Sequence, residues 1–235
     1  MVETPVLCLP FAGAGASAFR RAQEYPAEHV RIVPLQLPGR EERFGEEALT
    51  DAASAVDDLL PVALDLVAGS PAVAVFGHSL GAVLAFELAH RLRQLPQPDL
   101  VRVFVSGSPG PWTRREVRAT GLTDEDFLHQ VRGFAGYRHP ALEHPELREM
   151  LLPALRADVE MHENYLAQPG QLIDVPIISI RGGEDELVSA EQAAEWQAAT
   201  TAGCRLVEVS GNHMYLIDSP VELVRLMDAE LAVPQ

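Results

Sequence analysis

The sequence predicts an α/β fold, a mostly parallel sheet with helices on both faces, interrupted by a helical insertion. Three observations carry this. Short apolar runs alternate with stretches of helical periodicity through the first half of the chain. That alternation stops near Trp112 and resumes near Val175. One apolar run, Ala72 to Phe76, ends in Gly77-His78-Ser79-Leu80-Gly81 and passes at once into a helix-favouring run, the setting that gives G-x-S-x-G its weight.

Taken in order, Pro5-Val6-Leu7-Cys8-Leu9 is too short for a helix and is bounded by prolines, so it reads as a buried strand. Pro10 to Ser17 follows, a loop of small residues in which Gly13 and Gly15 allow close backbone approach. Ser17 is a candidate cap for a helix from about Ala18 to Glu24. His29 to Leu35 reads as a second strand, followed by a turn at Pro38-Gly39. Between Leu49 and Val67 the apolar positions Ala52, Val56, Leu59, Leu60, Ala63, Leu64 and Val67 recur at helical spacing, and Gly69-Ser70-Pro71 stops the helix. The helix after Ser79 runs to about Arg93, and Leu100 to Val105 is the next strand.

From Trp112 to about Gly170 no strand is expected. Thr123 caps a helix with an acidic first turn. A second helix runs from Pro145 to Leu166, with Pro153 as a break or kink. An insertion at this point is expected to cover the site as a lid, giving an α/β core of residues 1–111 and 171–235 and a lid of 112–170. The alternation then resumes: strand Val175 to Arg181, helix Ala190 to Ala199, strand Cys204 to Val209, and a terminal helix Pro220 to Ala232.

Composition bounds the rest. At 235 residues and 47% hydrophobic content, one domain with a sizeable core is expected. No apolar run is long enough for a membrane span. A net charge of −16 argues against nucleic acid and against an anionic membrane surface. The opening Met1-Val2-Glu3-Thr4-Pro5 has no basic flank or cleavage site, so no signal peptide is expected. A strand this near Met1 points to a discrete protein rather than a domain cut from a synthase. Cys8 and Cys204 form no disulfide framework. The expected compartment is the cytoplasm and the expected state a monomer. No metal site and no cofactor are expected: no Cys or His pair has zinc-ligand spacing, and Gly13-Ala14-Gly15 matches no phosphate-binding motif.

A serine hydroxyl needs a base to take its proton, and the base needs an orienting acid. On an α/β-hydrolase sheet these follow in the order Ser, Asp or Glu, His. Ser79, Asp185 and His213 come in that order, each in a loop just past a strand, and such loops converge on one sheet edge. Glu184, Asp174 and Asp218 are alternatives to Asp185. His78 is adjacent to Ser79, but its ring cannot readily reach that hydroxyl, so it is expected to be scaffolding. The oxyanion needs backbone donors. Leu80 N–H is one, and Ala12 N–H the other, with Phe11 or Gly13 as alternatives.

At these residues the chain resembles the stand-alone type II thioesterases of polyketide and nonribosomal peptide synthases, within the α/β-hydrolases. Leu9 to Gly15 resembles that family's oxyanion loop, with Phe11 where histidine is common. Gln36-Leu37-Pro38-Gly39-Arg40-Glu41-Glu42-Arg43 is similar to its most specific stretch. Gly77 to Gly81, Leu155 to Asp158 with Glu163-Asn164-Tyr165, Gly182 to Asp185 and Gly211 to His213 resemble its nucleophile turn, lid, acid loop and base loop. The resemblance implies hydrolysis of acyl groups from the phosphopantetheine thiol of an acyl or peptidyl carrier protein, clearing stalled or aberrant chains. The alternatives are a carboxylesterase acting on small esters and a non-catalytic protein that retains the fold. Phe11, Phe127, Phe134, Tyr137 and Met214 are candidates to contact the acyl chain, with Leu151 and Tyr165 beside them, the residues of the insertion being at least as readable as lid core. Carrier proteins are usually acidic, so a docking patch is expected among Arg20, Arg21, Arg40, Arg43, Arg114, Arg115 and Arg118, unless these pair with acidic neighbours such as Glu41 and Glu42.

Overall fold

The computed structural model describes residues 3–115, 117–135 and 140–232. Its strands are β1 Thr4–Leu9, β2 Val30–Pro34, β3 Ala72–His78, β4 Asp99–Ser106, β5 Ile177–Gly182 and β6 Cys204–Val209. They form one sheet in the order β2-β1-β3-β4-β5-β6, every neighbouring pair parallel. The fold class expected from the sequence is therefore the one observed. The order reverses between β1 and β3, and at such a switch point the loops leaving the carboxyl ends of two strands part to leave a crevice. Ser79 follows β3 there.

The helices are α1 Arg20–Gln23, α2 Ala52–Leu66, α3 Leu80–Leu92, α4 Asp124–Ala135, α5 Pro145–Asn164, α6 Ala190–Ala194, α7 Tyr215–Asp218 and α8 Pro220–Leu231. Covering both sheet faces explains why the central strands read as unbroken apolar runs. Successive side chains go to opposite faces. Leu7, Leu9, Val73, Val75, Val103 and Val105 pack with Val56 and Leu59 of α2 and Phe86 of α3. Val6, Cys8, Ala74, Phe76 and Phe104 pack with Phe19 and with Leu223 and Met227 of α8. The run after Ser79 is apolar on nearly every side because α3 is wedged between the sheet, α2 and α5.

Local signals set several boundaries. Asp51 caps α2 by accepting the Ser54 N–H at 2.8 Å. Thr123 Oγ1 accepts the Asp126 N–H at 3.3 Å, as expected for the start of α4. Ser17 does not cap a helix. It lies inside a 3-10 turn, Ala16–Phe19, and its hydroxyl donates to the Glu41 carboxylate. Pro153 does not break α5, whose 20 residues run through it. The lost backbone bond there is offset by a core face that includes Leu152 and Leu155. Among the described residues no strand lies between β4 and β5 other than an isolated bridge at Ile173. The helices of this segment share a core of Ala119, Phe127, Leu128, Leu152, Leu155 and Val159, with Ala12 packed against it. α7 and the 3-10 turn Pro140–Glu143 gave no clear signal in the sequence.

Among the described residues no helix is long and apolar enough to cross a membrane. Both cysteines are free, with β3, β4 and β5 lying between their strands. Burial pushes both thiols up, that of Cys204 to about 11.

Candidate active site

Ser79 is the residue on which β3 turns into α3. Its backbone has φ 55° and ψ −114°, and its N–H is held by the Ser106 carbonyl at 2.8 Å. A non-glycine residue in such a conformation costs on the order of 1–3 kcal/mol and persists only where its surroundings enforce it. The flanking glycines provide that enforcement. A Cβ on Gly77 would lie 1.8 Å from the Gly81 carbonyl oxygen, and one on Gly81 would lie 2.2 Å from that of Leu9. The first turn of α3 is thus seated on the ends of β3 and β1, the position that a serine exposed above the sheet edge requires.

β5 and β6 are neighbours, so the loops that follow them run side by side. Gly183 N–H donates to the Val209 carbonyl at 2.8 Å, and Glu184 N–H to that of Gly211 at 2.9 Å. Gly182 permits this crossing: a Cβ there would meet the Asn212 carbonyl oxygen at 2.3 Å. Asp185 is buried, and its Oδ2 lies 2.8 Å from His213 Nδ1. Its Oδ1 accepts the N–H groups of Leu187 at 2.8 Å and Val188 at 3.1 Å. Burial pushes this carboxyl up. The hydrogen bond and charge of His213 together with the two N–H groups outweigh burial and hold it below the ordinary carboxylate value. Of the alternatives, Glu184 is exposed, Asp174 pairs with Arg93 at 2.6 Å, and Asp218 lies in α7.

The loop after β1 closes as a turn in which Ala14 N–H donates to the Phe11 carbonyl at 3.0 Å. Gly13 N–H is already taken, at 2.7 Å, by Asp158 Oδ2. Among the described residues the Ala12 N–H has no hydrogen-bond acceptor, and the Leu80 N–H opens α3, where no intrahelical acceptor exists.

His78 is completely buried. Its Nδ1 lies 2.9 Å from Ser106 Oγ, which in turn lies 2.8 Å from the Tyr215 hydroxyl. Phe11 meets the His78 ring edge-on at 6.1 Å. Burial and the charge of His213 hold His78 well below the ordinary imidazole value, while Asp185 and the His213 backbone pull the other way.

The acyl-contact candidates divide. Phe127 has no exposed surface and belongs to the core of the inserted helices, with the Arg156 guanidinium 4.2 Å from its ring centre. Met214, just before α7, is buried in one apolar cluster with Tyr215 and Leu216. The Phe134 side chain and Tyr137 lie outside the described residues. A cleft of about 520 Å³ lies elsewhere, between α2, α3 and the end of α5, lined by Glu87, Arg91, Met161 and Tyr165 among others. Of the acyl-contact candidates Tyr165 lines it, and Ser79, Asp185 and His213 do not.

The expected docking patch loses members. Arg40 is buried against Asp158, Arg43 binds Asp58 at 2.7 Å and Glu46, and Arg115 donates to His162. None of these partners is Glu41 or Glu42.

Two further arrangements escaped the sequence reading. Arg181, at the end of β5, donates to the carbonyls of Asp185 at 3.0 Å and Val188 at 3.1 Å, and so frames the acid loop. A charged residue at the end of an apolar strand was its only signal. Arg115 and His162 form a second pair, with His162 near enough to His213 for their charges to interact. Burial brings Arg115 down to about 10, and burial together with Arg115 and His213 holds His162 well below the ordinary imidazole value. Among the described residues no group of His, Cys, Asp and Glu is arranged to hold a metal ion.

A parallel sheet carrying a strained serine at its switch point, with a hydrogen-bonded Asp and His on the loops after its last two strands, is the architecture of an α/β-hydrolase. The chain belongs to the thioesterase domain family, whose model matches residues 4–231. It is 30% identical to the gramicidin S biosynthesis protein GrsT of Aneurinibacillus migulanus, over 96% of this chain and 88% of that one. It is 32% identical to the thioesterase PikA5 of Streptomyces venezuelae, over 97% and 81%. Among solved structures, the type II thioesterase BorB from the borrelidin biosynthetic cluster superposes with a TM-score of 0.84 at 30% identity, covering 99% and 92% of the two chains. The resemblance noted in the sequence is therefore borne out at the level of the family.

Proposed function

We propose that this protein is a serine thioesterase that removes acyl groups from the phosphopantetheine arm of acyl or peptidyl carrier proteins, clearing stalled or aberrant chains during polyketide or nonribosomal peptide assembly. The observation that carries the chemistry is the buried Asp185 carboxylate 2.8 Å from His213 Nδ1. It fixes the imidazole so that Nε2 is the nitrogen available to a hydroxyl. The substrate class rests on the kinship with type II thioesterases.

In this reading Ser79 Oγ attacks the thioester carbonyl while His213 Nε2 takes its proton. The N–H groups of Leu80 and Ala12 hold the oxyanion. As the tetrahedral intermediate collapses, the C–S bond breaks and the imidazolium returns its proton to the thiolate. Water then attacks the acyl-serine, with His213 again accepting a proton, and the free acid leaves as Ser79 is regenerated. Asp185 stabilises the imidazolium and is not itself protonated. A thiol leaves readily, so the site need not assist its departure strongly. The inserted helices α4 and α5 act as the cover that keeps bulk water from the acyl-enzyme.

The test is hydrolysis of acyl-carrier thioesters by the intact chain and by Ser79→Ala, with labelling by a fluorophosphonate as a second readout. The variant should lose at least about 10⁴-fold in kcat/KM and all labelling. Labelling that persists in Ser79→Ala removes the serine mechanism. A preference for oxygen esters over carrier thioesters replaces the substrate assignment with the carboxylesterase alternative.

A further inference from the structure

Asp158, on α5, has no solvent exposure, yet its carboxylate is aimed away from its own helix. Oδ1 accepts from Arg40 Nη2 at 2.8 Å, and Oδ2 accepts both Arg40 Nη1 and the Gly13 N–H, the latter at 2.7 Å. Arg40 is 5% exposed and also donates to the carbonyls of Ala14 at 3.2 Å and Pro38 at 3.3 Å. The inserted helix, the Pro-Gly-Arg turn and the loop after β1 are therefore joined through one buried ion pair.

Packing repeats the connection. Gly13 has φ 79°, and a Cβ there would lie 2.8 Å from Leu155 Cδ1, one helical turn before Asp158. Ala12 packs against the core of the inserted helices. Phe11 to Ala14 forms a turn, and of the N–H groups between its ends, Gly13's is committed to Asp158 while Ala12's has no acceptor among the described residues.

A buried ion pair adds little to stability compared with apolar residues of similar volume, because desolvation consumes most of its attraction. Its distinguishing property is direction: a bidentate pair fixes both groups in angle as well as distance. We infer that Arg40 and Asp158 are positioning residues that lock the Phe11–Ala14 turn against α5 so that the Ala12 N–H points at the oxyanion. The inserted helix is then a structural member of the oxyanion hole as well as a cover, and the half of α5 that carries Asp158 stays docked through the catalytic cycle. This rests on the reading above in which Ala12 is an oxyanion donor.

The experiment compares wild type, Asp158→Leu, and the double variant Arg40→Met with Asp158→Leu. Melting temperature, kcat and KM are measured on an acyl-carrier thioester. So is the affinity for an acyl trifluoromethyl ketone, which forms a tetrahedral oxyanion on Ser79. Loss of one oxyanion donor typically costs about 10²–10³ in rate. Both variants should lose roughly that factor in kcat with KM within about twofold, and should bind the ketone correspondingly less tightly. The double variant should recover most of the melting temperature lost by the single one. Recovery of kcat along with stability overturns the inference and leaves a purely structural tie. A loss confined to KM also overturns it. Should Asp158→Leu fail to fold, the double variant carries the comparison by itself. Fluorophosphonate labelling of Ser79 in the wild type is scored separately: its failure strikes the serine mechanism, whereas a labelled wild type with a fully active double variant strikes only the positioning role.

Discussion

The His78 ring lies 4.9 Å from the His213 ring and is tilted 51° to it, yet the two imidazoles bond to different elements. His213 is bonded to Asp185, and His78 to Ser106. Gly107 makes the arrangement possible. It has φ 56°, and a Cβ on it would sit 2.6 Å from His78 Cε1 and 3.0 Å from His213 Cε1.

His78 is expected to matter for stability and little for chemistry. His78→Gln removes the ring nitrogen that bonds Ser106 and leaves the buried Ser106–Tyr215 pair one partner short, a loss of about 1–3 kcal/mol. Urea midpoints should fall accordingly while kcat drops by less than about tenfold. His213→Ala should lower kcat by on the order of 10⁴. Equal kinetic losses in the two variants would make His78 a partner in the reaction.

Stability should fall on acidification, beginning near neutrality. His78 has a lowered folded-state value, so between that value and the unfolded value of about 6.5 the unfolded chain binds a proton that the native state refuses. The contribution is fully present above the unfolded value and is lost as pH falls, at a slope of about 1.4 kcal/mol per pH unit for one such histidine. His162 acts in the same direction. Asp185, also lowered, adds a loss at more acid pH, as the medium falls through its folded value. Denaturant titrations from pH 7 to pH 4.5 should show a slope in the wild type that is about one proton shallower in His78→Gln. Parallel slopes would contradict the buried neutral imidazole.

Gly81→Ala and Gly183→Ala should behave oppositely. The first drives a methyl to 2.2 Å from the Leu9 carbonyl oxygen and 2.7 Å from that of Pro10, both backbone atoms that cannot swing aside. The second meets only the Val209 carbonyl oxygen at 3.6 Å, ordinary contact. Calorimetry should show a loss of about 3 kcal/mol or more for Gly81→Ala, with activity falling as α3 withdraws from β1. Gly183→Ala should remain within about 0.5 kcal/mol of wild type.

Arg181→Met should loosen the acid loop without touching substrate. The carbonyls of Asp185 and Val188 lose their donor, and the carboxylate that orients His213 loses its frame. A kcat lower by about tenfold with unchanged KM is expected, since the change acts through orientation. An altered KM with intact kcat would place Arg181 in substrate binding instead.

Much of this protein was legible in the sequence because its signals are local. Parallel strands covered on both faces must be apolar throughout, so β1, β3 and β5 announced themselves as short unbroken runs. The turn at Ser79 needs glycine on both sides, and that requirement is written in consecutive residues. The order of Ser79, Asp185 and His213 along the chain follows from the order of the strands they leave. Most boundaries moved by a residue or two, but α2 starts three residues after Leu49 and the helix expected from Ala190 to Ala199 gives way after Ala194 to a 3-10 turn; α7 was missed because one helical turn has too few residues to display a period.

The tertiary structure decided what depends on partners far apart in sequence. Arg40 read as a surface charge, but its partner Asp158 lies 118 residues away on α5, and their meeting takes both out of water. Asp185 and Glu184 are adjacent carboxylates that composition cannot rank; the loop that follows Gly182 buries one against His213 and leaves the other in solvent. Phe127 and Met214 are apolar residues whose neighbours the sequence does not name; the fold places the first in the core of the inserted helices and the second beside Tyr215 and Leu216. Strand and turn identity arise from backbone geometry and burial demands that each residue carries with it. Which donor is free, which charge is paired and which aromatic ring is covered arise only when the sheet order brings distant loops to one edge.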